Sequence, residues 1–298
     1  MSEQISPVKV CFSGAGKAGS WKIRGEQISS ARSNWKVAQD LTSQEINSFD
    51  VFCFVKRVDQ DLLKVLKKRK KIVVFDIVDS WAQPDDGINF DNYDKVIQLF
   101  RGKWSKIQAD AYIFPNQTMY KDFVNFVPYG EAIYHHYYPK ITPIDLKPTA
   151  KYVVYEGAAH YLGEMRADVE KICRKLGLEL LVNPENYSIG DIGISFRDGV
   201  HNSYLANRYK SNVKLANFYG AGMPCVCSYK EVSYHETDNG DVRFFTNITE
   251  LEQQLDELRD YNVRRKIHES FLLKRKEFEI GKIVRQFEIF FLKCLGQK

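Results

Sequence analysis

Long hydrophobic runs are missing from this chain of 298 residues: no stretch approaches the roughly 18 apolar residues that cross a bilayer, and Met1 to Val10 has no apolar core of the secretory type. The default address on this reading is the cytoplasm. No pair of cysteines is spaced as CxxC, and the six present (11, 53, 173, 225, 227 and 294) are ordinary usage for so long a chain. They read as buried thiols, with Cys225 and Cys227 pointing the same way from one strand. No HExxH and no spaced Cys/His set marks a metal centre. An excess of one charge is also lacking, because the net charge of +5 tolerates acidic ligands without requiring a nucleic acid. Proline is scarce, and three of the nine prolines (139, 143 and 148) fall between Tyr138 and Thr149. That cluster reads as a linker, so a domain boundary is expected there.

What is present is an alternation of short apolar runs with amphipathic stretches. Pro7 to Ser13 reads as a buried strand that stops at the glycine turn Gly14-Ala-Gly16-Lys-Ala-Gly19, with a helix from Ser20 to Arg32 after it. Strands follow at Trp35 to Gln39, Asp50 to Val55, Lys71 to Val78, Lys95 to Leu99 and Ala111 to Phe114, with helices at Ser43 to Ser48 and Gln60 to Lys70. After the prolines the pattern restarts, with strands at Lys151 to Gly157, Leu178 to Val182, Ile192 to Phe196 and Pro224 to Ser228. Helices are expected at Gly163 to Leu176 and Ser211 to Tyr219, and a helical stretch from Leu251 to Leu295 is broken near Tyr261 and Gly281. Continuous apolar strands separated by helices imply parallel sheets covered on both faces. The expected fold class is α/β: two Rossmann-like, doubly wound domains facing a cleft, over 1–145 and 146–280, with a C-terminal helix over 281–298 packing back on the first.

Several residues stand where ligands collect in such folds, at the carboxyl ends of parallel strands. Asp76 and Asp79 close a first-half strand. Arg197, Asp198 and His201 follow the strand ending at Phe196, and Glu231 follows the one ending at Ser228. His160 stands after the second half's first strand, while His135 and His136 sit in an aromatic stretch before the prolines. Lys210 and Lys214 flank the start of a helix that Ser211 could cap, where cations oppose the helix dipole unless an anion binds. With Asn217 they fall at i, i+4 and i+7, so one helical face could meet a phosphate and a hydroxyl together. Gly14-x-Gly16-x-x-Gly19, with Asp40 twenty-one residues beyond Gly19, also satisfies a dinucleotide fingerprint. That keeps an NAD(P)-dependent oxidoreductase open. Leu62 to Lys71 is a basic amphipathic stretch, either a solvated helix face or a peripheral membrane contact.

The segment Lys210-Ser-Asn-Val-Lys214-Leu-Ala-Asn217-Phe-Tyr-Gly-Ala-Gly222-Met-Pro224 resembles the donor-binding segment of GT-B glycosyltransferases of the glycogen-synthase-like kind. Trp21-Lys-Ile-Arg24-Gly25, Phe75-Asp76-Ile-Val-Asp79-Ser-Trp81 and Pro115-Asn116 are similar to that family as well. The resemblance implies an enzyme, a hexosyl- or pentosyltransferase, that takes sugar from a nucleotide-diphosphate sugar without a metal or resident cofactor. The acceptor would be a glycan or lipid-linked, and retention of configuration is the family expectation. Donor contacts would come from Gly14, Gly16, Arg197, Lys210, Ser211, Asn212, Lys214, Asn217 and Glu231, with Asp79, Arg24 and His160 as catalytic candidates. In many members Asn217 is a Glu that holds the donor ribose, and this departure admits a catalytically inactive scaffold as a further alternative.

Overall fold

Strands β1 (Val10–Ser13), β3 (Val51–Val55), β4 (Ile72–Asp76) and β5 (Ala111–Phe114) are buried along their whole length, as strands of a sheet covered on both faces must be. With β2 (Trp35–Val37) and β6 (Gly130–Ala132) they form one parallel sheet of six, in the order β2-β1-β3-β4-β5-β6. A second parallel sheet of five has the order β11-β10-β9-β7-β8. Its strands are β7 (Tyr152–Tyr155), β8 (Glu179–Val182), β9 (Ile192–Ser195), β10 (Cys225–Ser228) and β11 (Arg243–Phe245). This computed structural model describes residues 8–14, 19–38, 40–79 and 91–296. Gly16 and the Ser80-Trp81 end of one quoted motif lie outside the described residues.

The chain divides into two units, one drawn from Met1–Trp81, Tyr93–His135 and Ile280–Lys298, the other from Ala82–Asn92 and His136–Glu279. The first therefore includes the C-terminal helix Ile280–Gly296, which buries Ile283, Val284, Phe287, Phe290 and Phe291. Phe291 meets Phe12 at 6.0 Å and Trp35 at 5.6 Å, edge-on in both cases, so aromatic packing fastens the helix over β1 and β2 as expected. In the second unit the proline stretch is strapped down. Buried Arg264 donates to the carbonyls of Lys147 and Pro148 at 2.7 and 3.1 Å, and Ile144 N donates to Ala221 O at 2.8 Å.

One expected strand is a helix. Lys95 to Leu99 lies within the helix Tyr93–Leu99, which runs on as a π-helical turn over Phe100–Trp104. Val96, Phe100 and Trp104 are the buried residues, a spacing of four that a five-residue window cannot separate from a strand. Shorter elements went unread: the helices Gln117–Phe123, Tyr204–Tyr209 and Val232–Thr237 and the strands β6 and β11. All six cysteines are free and buried, with Cys225 and Cys227 sulfurs 3.8 Å apart along β10.

The first helix is interrupted by a wide π-turn over Lys22–Gln27. Trp21 is wedged between two glycines there, because a Cβ at Gly14 or at Gly25 would come within 2.8 Å of its ring. The turn carries Arg24 inward to zero exposure, where Nε lies 2.8 Å from Asp76 Oδ2. Its other nitrogens donate to the carbonyls of Ile133 and Tyr134, both at 3.1 Å, and the guanidinium lies 4.7 Å from the centre of the Phe287 ring. Burial pushes the Asp76 carboxyl up from the ordinary range, and Arg24 opposes that rise.

Asp76 in turn holds two tight turns at the carboxyl ends of adjacent strands. Arg57 N donates to Val55 O and Asp79 N to Ile77 O, each at 2.7 Å, closing three-residue γ-turns around Lys56 and Val78. The central residues have φ of 62° and 66°, the rarer and strained sense of this turn, at a cost of about 1–3 kcal/mol each. The Asp76 carbonyl accepts from Lys56 N at 2.8 Å, and its carboxylate accepts from Val78 N at 3.1 Å. Replacing Arg24 with Met would leave Asp76 buried without its counter-charge. We expect a loss of about 3–5 kcal/mol of unfolding free energy in urea, with a substantial part regained by Arg24→Met/Asp76→Leu. A loss below about 1 kcal/mol in the single variant would show that the pair does not hold this unit together.

Candidate functional site

Both sheets have a topological switch point, and the one in the second unit carries the larger charge cluster. From β7 the chain goes first to β8 on one side and then to β9 on the other, which leaves a crevice outside the carboxyl ends of β7 and β9. Glu156 and Gly157 follow β7, Arg197 follows β9, and Glu231 follows β10. The helix Val213–Ala221 enters between β9 and β10, buried from Lys214 onward, and ends on Gly222 at φ 60°. Its N-cap is Asn212, whose side chain makes no cap bond.

Lys214, the second residue of that helix, is only 6% exposed. Its Nζ lies 4.6 Å from the Tyr155 ring centre and donates to the Tyr155 hydroxyl at 3.4 Å. Burial first, and then the like charge of Arg197, lower its pKa to about 7 against the opposing pull of Glu231 and Glu156. Arg197 Nη1 lies 2.6 Å from Glu231 Oε1, and both side chains are buried. Burial works to lower the Arg197 pKa, but the Glu231 carboxylate outweighs it and the guanidinium stays charged. Arg197 Nε and Glu231 Oε2 are buried with no hydrogen-bond partner among the described residues. Gly157 is required beside them by its φ of 143°, which side chains with a Cβ rarely adopt.

Asn217, one turn along from Lys214, was expected to meet a ligand hydroxyl. Instead its amide is spent within the protein: Nδ2 donates to both oxygens of Glu156 at 2.9 and 2.8 Å, and Oδ1 accepts from Tyr138 N at 2.8 Å. The side chain it presents is Glu156, whose carboxyl is pushed up by burial against the influence of Asn217 and Lys214. Glu156 lines a cavity of about 530 Å³ with Tyr138, Ile141, Asn183, Tyr187 and Ser188. Asn183 ties the cavity wall to the loop after β7 by donating to Gly157 O at 2.6 Å and accepting from Gly157 N at 2.8 Å. The Tyr187 hydroxyl is buried with no partner among the described residues.

The remaining candidates separate. Lys210 is not on the helix: it follows Tyr204–Tyr209 in an extended conformation (ψ 155°), so the shared face of Lys210, Lys214 and Asn217 reduces to Lys214 and Asn217. Ser211 is buried but is not the cap. His160 is exposed, 5.0 Å ring to ring from His201 and 4.4 Å from Tyr161, while the Arg197 guanidinium lies 5.9 Å from the Tyr161 ring. Asp198 accepts from Met165 N at 2.9 Å and so anchors the start of the helix Met165–Lys175.

In the first unit Arg24, a catalytic candidate on the sequence, is a buried structural cation, since Asp76 and two carbonyls consume its donors. Gly14 directly follows β1, and Asp79 is ion-paired with Lys56 at 2.7 Å. The basic stretch is a helix, Gln60–Lys68, and much of its charge is engaged: Lys67 donates to Gln108 O, Arg69 to Ser43 O, and Lys71 to the carbonyls of Asn47 and Phe49. Among the described residues no helix is long and apolar enough to cross a membrane, and no group of three or more His, Cys, Asp or Glu could hold a metal. Sequence reasoning missed Glu156, Tyr187 and Lys56. The carboxyl-edge rule that found Arg197 and Glu231 also reaches Lys56, directly after the strand end at Val55, and reaches Glu156 once the strand read to Gly157 is ended at Tyr155.

No protein-family model matches the chain, and no curated protein matches it in sequence. Solved structures do match over nearly its whole length. Sucrose-phosphate synthase from Thermosynechococcus elongatus superposes with a TM-score of 0.62 at 10% identity, covering 97% of this chain and all (100%) of that one. An α,α-trehalose-phosphate synthase (UDP-forming) from Burkholderia vietnamiensis gives 0.59 at 10% identity, covering 94% and 98%. The lipopolysaccharide outer core galactosyltransferase WaaB gives 0.52 at 12% identity, covering 95% and 99%. At such identities the likeness is one of fold: two Rossmann-like parallel-sheet units with a long C-terminal helix, the GT-B architecture of these glycosyltransferases.

Proposed function

We propose that the chain is a glycosyltransferase that takes a hexosyl or pentosyl group from a nucleoside-diphosphate sugar to a hydroxyl of a glycan or lipid-linked acceptor. The observation that carries this reading is Lys214, a buried amine beside Arg197 at a helix start, in surroundings too short of negative charge to keep it protonated at the ordinary lysine pKa. A diphosphate supplies what is missing. It brings anionic oxygens to Lys214, to the unpartnered Nε of Arg197 and to the free N–H groups of the Val213–Ala221 helix. Glu156, aimed by Asn217, would accept from ribose hydroxyls, with the nucleoside in the cavity it lines. Glu231 Oε2 would accept from a hydroxyl of the donor sugar.

In the reaction the bond from the anomeric carbon to the diphosphate oxygen breaks, and its electron pair leaves with that oxygen. The acceptor hydroxyl bonds to the same carbon and gives up its proton to the departing diphosphate oxygen. Lys214 and Arg197 stabilise the charge growing on the leaving diphosphate, the role a divalent metal plays elsewhere. That one fold neighbour is described as UDP-forming agrees with release of a nucleoside diphosphate. Retention of configuration remains the expectation set by the family resemblance.

A thermal-shift panel of UDP, GDP, dTDP, CDP, ADP, NAD and NADP tests the reading, since a ligand that binds the folded state raises its apparent stability. We expect stabilisation by one nucleoside diphosphate; stabilisation by NAD or NADP alone would overturn the proposal. With the matching donor, Lys214→Met should lower turnover about 10²–10³-fold, the usual cost of losing one such electrostatic contact. The same variant has a stability signature of the opposite direction. Because the folded-state pKa of Lys214 lies below the unfolded one, the unfolded chain binds more protons between about pH 7 and 10.5, and wild-type stability rises with pH across that window. Lys214→Met should therefore be more stable than wild type at pH 7 and lose that advantage by pH 10.5, as read from urea unfolding at both ends.

Ligand binding should also take up protons. Near pH 8 the free amine is mostly neutral, and a diphosphate beside it raises its pKa. The groups facing it, Tyr155, Arg197, Glu231 and Glu156, are otherwise common to both states. Calorimetric binding enthalpies in phosphate and Tris buffers should then differ in the sense of net uptake, and the difference should vanish in Lys214→Met.

A further inference from the structure

Lys214 is the only buried lysine among the described residues, and its nitrogen is thinly engaged. Nζ makes one hydrogen bond, to the Tyr155 hydroxyl at 3.4 Å. That hydroxyl donates its own proton to Phe196 O at 3.2 Å, so it can accept from Nζ but has no proton to give to the nitrogen lone pair. On the Gly157 side no side chain covers the nitrogen, since the Cβ that any other residue would carry there falls 3.0 Å from it. The nearby carboxylates are turned elsewhere: Glu231 Oε1 pairs with Arg197 Nη1 at 2.6 Å, and both oxygens of Glu156 accept from Asn217.

An amine so placed is a nucleophile rather than a counter-ion. Burial and the charge of Arg197 bring its pKa to about 7, so the free base is well populated near neutral pH. Its neighbour is short of an anion, because Arg197 Nε is buried with no hydrogen-bond partner among the described residues. Carbon dioxide answers both conditions. It is uncharged and small enough to reach a buried amine, and its adduct carries a carboxylate to which Arg197 Nε can donate.

We propose that Lys214 is a carbamylation site for carbon dioxide, its carbamate held by Arg197, and that the modified side chain competes with anionic ligands for the crevice. The Nζ lone pair bonds to the carbon, one carbon–oxygen π pair moves onto oxygen, and a nitrogen proton passes to buffer. A neutral amine and a neutral gas thus give one carbamate anion and one proton, with no oxidant or reductant. The groups facing the amine are Tyr155, Arg197, Glu231, Glu156 and Cys227. The modification rests on the geometry of the amine; the competition rests on the glycosyl-transfer reading, which puts a diphosphate in the same place.

Carbon NMR on the full chain with isotope-labelled bicarbonate, at about pH 8 where the free amine predominates, tests this. Wild type should show a carbamate resonance, separate from bicarbonate and dissolved gas, that Lys214→Arg and Lys214→Met lack. The α-amino group supplies a signal common to all three proteins. Trapping with a trialkyloxonium salt, followed by peptide mapping, should place the alkoxycarbonyl group on Lys214. At constant pH and ionic strength, half-modified wild type should bind the stabilising nucleoside diphosphate about twofold more weakly, because only the unmodified half is competent. Lys214→Arg should bind it with no dependence on carbon dioxide. Equal carbamate signals in wild type and both variants, or trapping at other amines alone, would overturn the modification. Carbamate on Lys214 with nucleotide affinity indifferent to carbon dioxide would overturn the competition. Carbamate on Lys214 in a chain that no nucleoside diphosphate stabilises sinks the transfer reading and leaves the modification standing, and nucleotide binding without carbamate does the reverse.

Discussion

The buried pair of Arg24 and Asp76 is the constraint on which the first unit depends. A carboxylate with no exposure is tolerable only if its charge is met, and here one guanidinium meets it while also satisfying the carbonyls of Ile133 and Tyr134. Four parts of the chain far apart in sequence are joined through it: the π-turn of the first helix, the end of β4, the segment after β6, and the C-terminal helix through Phe287. The π-turn has a reason in this light. Six residues from Lys22 to Gln27 are wound wider than an α-helix, and the widening brings Arg24 under the sheet edge while Gly25 lets Trp21 close over it. Asp76 then uses what remains of its hydrogen-bonding capacity on the backbone of Lys56 and Val78, so the polar core of the unit and the shape of its sheet edge are one network.

The second unit solves the same electrostatic problem less completely. Arg197 has Glu231, but Lys214 is buried against a tyrosine ring and a hydroxyl rather than a carboxylate, and its proton affinity falls in consequence. Glu156, near enough to moderate that fall, is turned toward Asn217, which donates to both of its oxygens. A folding optimum would have paired Lys214 with Glu156 directly. The amide at position 217 instead holds the carboxylate at the cavity wall, so negative charge is kept from the amine and offered to the cavity. A carboxylate on the helix, which many members of the similar family carry, would have placed that negative charge on the helix itself.

Much of this was legible in the sequence, and the failures have identifiable causes. Continuous apolar runs such as Val51–Val55 and Ile72–Asp76 could be read as buried parallel strands because they are too short for a helix and rich in β-branched and aromatic residues. The C-terminal helix declared itself through Ile283, Phe287, Phe290 and Phe291 at helical spacing. Lys95 to Leu99 was misread because β-branched Val96 and Ile97 sit together in a short window, and only the distant Phe100 and Trp104 reveal the period. The site was visible wherever one strand end sufficed to locate a residue, as for Arg197 and Glu231. It was not visible where a role depends on a partner distant in sequence. Nothing in the neighbourhood of Asn217 announces that Glu156, 61 residues earlier, takes both of its amide bonds, nor does anything near Arg24 announce Asp76, 52 residues on.

The two sheet edges obey one topological rule and differ in charge, and that difference carries chemical meaning. At the edge of the first unit, Lys56 and Asp79 cancel, and what remains is a set of directed hydrogen-bonding groups with no net field. At the edge of the second, Lys214, Arg197, Glu231 and Glu156 cancel only on paper. Glu231 is committed to Arg197 and Glu156 to Asn217, so Lys214 at the Val213–Ala221 helix start has no carboxylate paired with it among the described residues. Fixed potentials of this kind select ligands before any fit of shape is tested. An anion therefore has more reason to settle at the second edge, beside Lys214 and Arg197, than at the first, where Lys56 and Asp79 cancel.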